Sequence, residues 1–176
     1  MDKSVKNQII GLLVILLIIL LVVISFITYN HWPLLTGQKI VLSTMPVDPF
    51  DPFMGQYMRI NYEISSISSI EGVEKGDKVF VSLKEDDLGI WRYQDSSMLK
   101  PTKGDFIKGK VESTYGSTMR VSYGIEQFFF EKGDSLPTMN ITIEVKVASS
   151  GRAGLVKLLY NGEPIEIEQK EIKITS

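Results

Sequence analysis

The chain has 176 residues, a formal net charge of −2, no cysteine and a single histidine. Without cysteine it cannot form disulfides, carry an acylated lipoprotein anchor or use thiol catalysis, and one histidine cannot build a multi-histidine metal site. The weak negative charge, with no block of like charges, does not favour binding to nucleic acid or to anionic lipid.

The first predicted element is a transmembrane helix. Residues 9–27 contain no charged side chain, and sixteen of these nineteen residues are Ile, Leu or Val. As a helix they cover roughly 28 Å, close to the roughly 30 Å hydrocarbon core of a bilayer. We therefore predict a membrane-spanning helix over residues 9–29, with the lipid bilayer as its partner. A cleaved signal peptide is the alternative, but bulky residues such as Phe26 and Tyr29 stand where a cleavage site needs small ones.

The charges around this segment predict its orientation. Lys3 and Lys6 precede it, whereas residues 29–38 contain no Lys or Arg. The positive-inside rule then places residues 1–8 in the cytoplasm and the rest beyond the cell membrane. Pro33 is predicted to end the helix, because a proline pushes the preceding residue out of helical conformation. Residues 33–176 remain for one extracytoplasmic domain of a single-pass protein.

This outer domain shows the alternation of β-strands. Apolar residues occupy every second position in segments 58–64, 79–83 and 141–147. The dipeptide Asn161-Gly162 predicts a hairpin between residues 154–160 and 163–168. The isoleucines fall on odd positions before residue 169 and on even positions after residue 171, so the side of the strand that faces inward changes. This predicts a bulge or break at residues 169–171. The fold class is therefore mainly β: an antiparallel domain, barrel-like or sandwich-like, behind one transmembrane helix.

Two stretches depart from this pattern. Segment 120–130 becomes apolar on both faces at its end, where Phe128 and Phe130 lie opposite the face of Val121. It is either a central strand covered on both sides or a docking surface for another chain. Residues 65–72 are the one stretch that could hold a short helix or turn.

The densest motif begins with Pro46-Val-Asp48-Pro and continues through Gly55-Gln56-Tyr57 to Tyr62. It resembles the signature of the membrane-anchored GDYXXLXY family, with Gly55, Tyr57, Ile60 and Tyr62 at the signature positions. Gln56 replaces the aspartate of that signature and removes a carboxylate, which favours a turn or hydrogen-bonding role over acid chemistry or metal binding.

A second motif, Tyr123-Gly-Ile-Glu126 followed by Phe128, resembles another segment of the same family, and Gly151-Arg-Ala153 also fits. The resemblance implies a bacterial membrane-anchored protein of unassigned activity that works with a multi-spanning membrane protein. It supplies no catalytic residue. From the residues alone, Arg59 and Glu126 are the charged members of the two motifs, and they either pair or are solvated independently.

The enzymatic alternative is a serine-lysine peptidase similar to bacterial signal peptidases. Ser43-Thr-Met-Pro46 matches their serine motif poorly, and Ser97-Met-Leu-Lys100 is followed by a proline that argues against the required helix. The carboxylates at 85–87, and the pair Asp48 and Asp51, lack the ligand count of a calcium loop.

We therefore predict a non-catalytic binding or accessory module that acts with an integral membrane protein, without a metal or cofactor. The alternatives are the peptidase and an envelope lipid-binding or glycan-binding domain. The candidate partner-binding or signature residues are Asp48, Gly55, Gln56, Tyr57, Arg59, Tyr62, Glu126, Phe128 and Phe130.

Overall fold

The computed structural model describes residues 3–45, 57–129 and 140–165. It begins with one long helix, α1 (Lys3–Thr36). Within α1, Asn7–Thr36 is long and apolar enough to cross a membrane, and none of its apolar window is covered by the other residues that the structure describes. Leu12, for example, is 68% exposed. By length and composition this segment fits a membrane anchor or a signal sequence.

The prediction that Pro33 ends the helix is wrong, because α1 continues through Pro33 to Thr36. A proline has no N–H to donate to the carbonyl one turn earlier, here that of Tyr29. The guanidinium of Arg152 donates to the Tyr29 carbonyl instead, at 2.9 Å. The Gly37 N–H donates to the Pro33 carbonyl at 2.8 Å and completes the last turn. A tertiary contact thus supplies the donor that the proline lacks.

The rest of the described chain is built from short and medium strands joined by turns. In chain order they are β1 (Gln38–Ser43), β2 (Tyr57–Arg59), β3 (Ser66–Ser68), β4 (Lys78–Glu85), β5 (Trp91–Ser97), β6 (Asp105–Tyr115), β7 (Thr118–Ser122), β8 (Gln127–Phe129), β9 (Ile141–Val147), β10 (Ala153–Tyr160) and β11 (Glu163–Pro164).

Nine of these strands form one sheet in the order β11-β10-β9-β1-β5-β4-β6-β7-β3, and β2 pairs with β8 in a separate ribbon. The mainly β prediction is confirmed. The sheet is mixed rather than wholly antiparallel, because β1 and β5 join in parallel where Leu42 lies opposite Trp91. The Lys108 N–H of β6 donates to the Gly151 carbonyl at 2.7 Å. The sheet therefore curls until β6 meets the β9–β10 turn, although three strands separate β6 from β9 in the sheet order.

The predicted alternation of apolar residues identifies the side chains that form the core. Side chains of β4 and β9 alternate between buried and partly exposed positions as the sequence indicates. The hairpin at Asn161-Gly162 is also confirmed, with φ angles of 50° and 86° at these two residues. The predicted break at residues 169–171 lies outside the described residues. Core residues with almost no exposure include Leu42, Ile60, Tyr62, Val79, Val81, Ile107, Met119, Ile143 and Val145.

Segment 120–130 is not one central strand. β7 ends at Ser122, a turn follows in which Gly124 has a φ of 79°, and β8 begins at Gln127. The turn reverses which face is buried, and this explains why apolar residues occur on both faces. Segment 58–64 likewise leaves the strand after Arg59 and reaches a 3₁₀ turn at Glu63–Ser65. Residues 65–72, predicted as helix or turn, hold the end of that turn, then β3 and a turn at residues 71–72.

Candidate functional site

The structure brings the two sequence motifs together. β2, from the first motif, pairs antiparallel with β8, from the second, and we call these two strands the signature ribbon. The pairing continues one residue further, because the Ile60 N–H donates to the Glu126 carbonyl at 2.7 Å. The residue pairs across the ribbon are Tyr57 with Phe129, Met58 with Phe128, and Arg59 with Gln127.

Two tyrosine hydroxyls fasten the motifs to each other beside the ribbon. The Tyr62 hydroxyl donates to the Ile125 carbonyl at 2.7 Å. The Tyr123 hydroxyl donates to the carbonyl of Ile64, two residues past the first motif, at 2.6 Å, so each of the two segments gives one tyrosine and one carbonyl. Both rings are buried, with exposures of 0% for Tyr62 and 6% for Tyr123. We call this reciprocal pair of bonds the tyrosine latch.

The latch has a defined protonation state. Burial raises the pKa of Tyr62 and of Tyr123 far above the ordinary phenol value, and the negative charge of Glu126 raises both further. Both hydroxyls are therefore neutral donors at physiological pH. A phenol held neutral, with its proton directed at a backbone carbonyl, is not poised for acid–base catalysis near neutral pH.

Glu126 has a backbone role rather than an ion-pairing one. Its carboxylate accepts the N–H of Tyr123 with one oxygen and the N–H of Gly124, at 2.9 Å, with the other. The proposed pairing of Arg59 with Glu126 is wrong. Arg59 instead lies beside Glu112 of β6, with a nitrogen–oxygen distance of 3.6 Å. The Glu126 carboxylate closes the turn at 123–126, because it accepts these two adjacent backbone N–H groups.

Glu112 also interacts with a second cation. Arg120 of β7 lies 3.7 Å from the same carboxylate oxygen and donates to the Asn61 side chain at 2.8 Å. Asn61 in turn accepts the Met45 N–H on its backbone carbonyl at 2.8 Å. The Arg59 side chain stays 60% exposed within this cluster. The sequence did not predict the cluster, because its members come from four separate segments.

The remaining candidate residues fall into three groups. Phe128 is partly buried and packs against the hydrophobic core. Tyr57 lies in β2, opposite Phe129. Asp48, Gly55, Gln56 and Phe130 lie outside the described residues. Tyr123 was not among the candidate residues, although its position at the head of the second motif could have indicated its role.

The serine and carboxylate candidates have other partners. The Ser97 hydroxyl accepts the Leu99 N–H at 3.0 Å in a turn, and the Lys100 ammonium lies 5.6 Å from the Phe106 ring centroid. The Asp86 carboxylate accepts the backbone N–H groups of residues 88 and 90 and lies 3.0 Å from the Arg92 guanidinium. These hydrogen bonds hold the pKa of Asp86 below its usual value. Asp86 therefore organises the β4–β5 turn.

A second well-defined feature is the junction between α1 and the domain. The Lys146 ammonium donates to the Leu34 carbonyl at 2.6 Å, and Arg152 lies 4.0 Å from the Tyr29 ring centroid. Lys146 lies at the helix C-terminus, where the backbone dipole favours positive charge, and Arg152 lies about two turns before it. The approach is close: a Cβ on Gly154 would lie 2.7 Å from the Leu34 Cδ2 atom. The last turns of α1 are thus fixed against β9 and β10.

Comparison with known proteins adds one finding. The family model described as "GDYXXLXY protein" matches residues 19–158, which include the second half of α1 and both motifs. No curated protein matches the chain. No solved structure matches it either.

Proposed function

Because the chain belongs to the GDYXXLXY protein family, we propose that it is a membrane-anchored, non-catalytic accessory module whose β domain acts outside the cell membrane beside an integral membrane protein. The observation that carries this proposal is the contrast within α1. Its apolar window is left uncovered by the described part of the domain, while its last turns are held by Arg152 and Lys146. An uncovered apolar helix of this length needs a bilayer around it.

Retention of the helix, rather than cleavage as a signal sequence, has its own support. Tyr29, Pro33 and Leu34 contribute carbonyls or packing atoms to the junction, so cleavage beyond Leu34 would remove contacts on which β9 and β10 rely. Cleavage nearer the apolar run would need small residues where Phe26 and Tyr29 stand. We therefore assign α1 as a permanent anchor with its N-terminus in the cytoplasm.

The non-catalytic assignment rests on how the signature residues are used. Tyr62 and Tyr123 are neutral hydrogen-bond donors in the latch, and Glu126 closes a backbone turn. The family motifs thus act in building the domain. Among the described residues the two strands of the signature ribbon pair only with each other, and Arg59, at the end of β2, has an exposed side chain. An exposed arginine on a short ribbon favours a contact with another protein.

Topology can be tested directly because the chain has no cysteine. Single cysteines replace Asn7 and Lys75, and intact cells are treated with a membrane-impermeant maleimide. We expect labelling of the Lys75→Cys protein alone, with Asn7→Cys labelled only after lysis. Labelling of both variants in intact cells would contradict the anchored topology.

The partner is tested by photo-crosslinking in cells from position 59, with Lys75 as the matched control for an exposed basic residue. We expect Arg59 to give a reproducible adduct with an integral membrane protein and Lys75 to give none. Adducts with soluble proteins only, or the same adducts from both positions, would contradict the accessory role. Retention of the latch, measured by thermal unfolding of each variant, excludes misfolding as the cause.

A further inference from the structure

We propose that Lys100, Lys103 and Arg152 form a contact surface for the phosphate groups of anionic phospholipids in the leaflet from which α1 emerges. We call these three residues the basic patch. The inference rests on the membrane anchoring proposed above. It concerns residues other than those of the signature ribbon.

The depth of Arg152 follows from its contact with α1. Its guanidinium donates to the Tyr29 carbonyl and lies over the Tyr29 ring. Tyr29 comes two residues after the apolar run, or about 3 Å along the helix axis. Each headgroup layer is roughly 5–7 Å thick. Arg152 therefore lies at the level of the lipid headgroups, where its remaining donors can reach phosphate oxygens.

The β5–β6 loop, residues 98–104, lies at the same end of the domain. Gly151 packs under Phe106, since a Cβ there would lie 2.8 Å from the Phe106 Cε2 atom. Lys100 in turn lies over the Phe106 ring. Gly104 and Thr36, the last residue of α1, line one cleft of about 380 Å³. The loop therefore extends from the neighbourhood of Arg152, at the headgroup level, toward the helix end, which lies about 10 Å further out along the axis.

The side chains of this loop are suited to a lipid interface. Leu99 is 80% exposed and Met98 is 42% exposed, and they immediately precede the exposed Lys100. Lys103 is also exposed, and Asp105 is the acidic residue that follows the loop. Apolar side chains beside lysines are typical of surfaces that enter the interface while the ammonium groups meet phosphates. The net charge of −2 hides this local concentration of positive charge.

No carboxylate among the described residues lies within 4 Å of the charged groups of the basic patch. The other cation at the junction, Lys146, is directed at a helix carbonyl. A basic side chain close to an anionic leaflet favours contact by about fivefold in the equilibrium constant, and salt weakens this within a Debye length. Two lysines in the loop should therefore act together with Arg152.

The experiment places an environment-sensitive fluorophore on Leu99→Cys in the full-length protein, which is reconstituted in vesicles that carry a headgroup nitroxide lipid. One set contains phosphatidylcholine alone, and the other about one-third phosphatidylglycerol. Tyr115→Cys is the control, because Tyr115 is 91% exposed at the far end of β6, about 33 Å along the strand from the loop.

We expect quenching at position 99 to rise at least about twofold with phosphatidylglycerol, and to fall back in high salt or with Lys100→Gln and Lys103→Gln combined. Position 115 should stay unquenched in both vesicles. The proposal would be overturned by equal quenching at both positions. It would also be overturned if quenching at position 99 did not change with lipid charge or with the lysine substitutions. Failure of the protein to float with vesicles would instead count against the anchor.

Discussion

At the scale of single residues, the tyrosine latch explains why the motifs keep their aromatic ends. Each hydroxyl satisfies a carbonyl in the buried region where the two motifs meet. We expect Tyr62→Phe and Tyr123→Phe each to lower the free energy of unfolding by about 1–2 kcal/mol, because each leaves a buried carbonyl without its donor. Tyr115→Phe is the matched control and should be neutral, since Tyr115 is exposed.

Denaturant unfolding of the full-length protein in mild detergent measures these changes, and the double variant tests whether the two bonds act as one unit. A coupling of at least about 0.5 kcal/mol is expected, because both bonds hold the same two segments together. Strictly additive losses would show that the bonds act independently. Losses no larger than that of the Tyr115 control would refute the latch.

The latch also has a pH signature. The folded state raises the pKa of both tyrosines above the unfolded value of about 10. Their contribution to stability is therefore complete below about pH 10 and is lost as the pH rises beyond that value. The stability difference between wild type and Tyr62→Phe should shrink accordingly in alkaline solution.

Much at this scale could be predicted from the sequence, because alternation depends on local periodicity. Ile60, Tyr62 and Ile64 share a buried face as their spacing indicates, even though the strand itself ends at Arg59. The partner of Arg59 could not be predicted. The position of β6 in the fold brings Glu112 beside Arg59, and the local sequence around either residue does not indicate this contact.

At the scale of elements, the junction between α1 and β1 depends on close backbone approach. A Cβ on Gly37 would lie 2.9 Å from the Val147 backbone nitrogen and would also meet the Pro33 carbonyl oxygen. Backbone atoms cannot move aside cheaply. We therefore expect Gly37→Ala to destabilise the junction by about 1–3 kcal/mol, the usual cost of overpacking.

Two alanine substitutions give the comparison for Gly37. Gly154→Ala should cost less, because the nearest atoms it meets, at 2.7 and 2.9 Å, belong to the Leu34 side chain, which can shift more easily than backbone. Gly11→Ala should be neutral or slightly stabilising, since nothing lies within 4 Å of its Cβ position and alanine favours a helix. Thermal unfolding followed by tryptophan fluorescence, to which Trp32 near the junction and Trp91 in the sheet both contribute, ranks the three variants. A Gly37→Ala protein as stable as Gly11→Ala would mean that the helix is not fixed to the domain.

The continuation of α1 past Pro33 shows why the end of a helix cannot always be predicted from the local sequence. The local rule was sound, because a proline does remove one helical hydrogen bond. Arg152, more than a hundred residues later, supplies the replacement donor. The hairpin at Asn161-Gly162 was predictable for the opposite reason, since its geometry is determined by the two residues themselves.

At the scale of the whole molecule, the nine-stranded sheet has one parallel joint. β1 pairs with the group of strands that begins at β9, and β5 pairs with the group that begins at β4. The register pair of Leu42 with Trp91 links the two groups. Alternation predicted which strands exist but not this joint, because a parallel pairing between β1 and β5 depends on contacts nearly fifty residues apart along the chain.

Leu42 is fully buried at this joint. We expect Leu42→Ala to lower the free energy of unfolding by about 2–5 kcal/mol, because it removes apolar contacts and leaves a cavity between the two groups of strands. Leu88→Ala is the matched control, since Leu88 is 80% exposed and should change stability by less than about 0.5 kcal/mol.

Hydrogen exchange of the full-length protein shows whether the loss is shared by the whole sheet. If the joint unites the strands, amides of β9 and of β4 should both lose protection in Leu42→Ala, because opening at one joint exposes both groups of strands. Faster exchange confined to the strands next to β9 would mean that the two groups unfold separately. The domain would then be two weakly joined sheets that share an anchor.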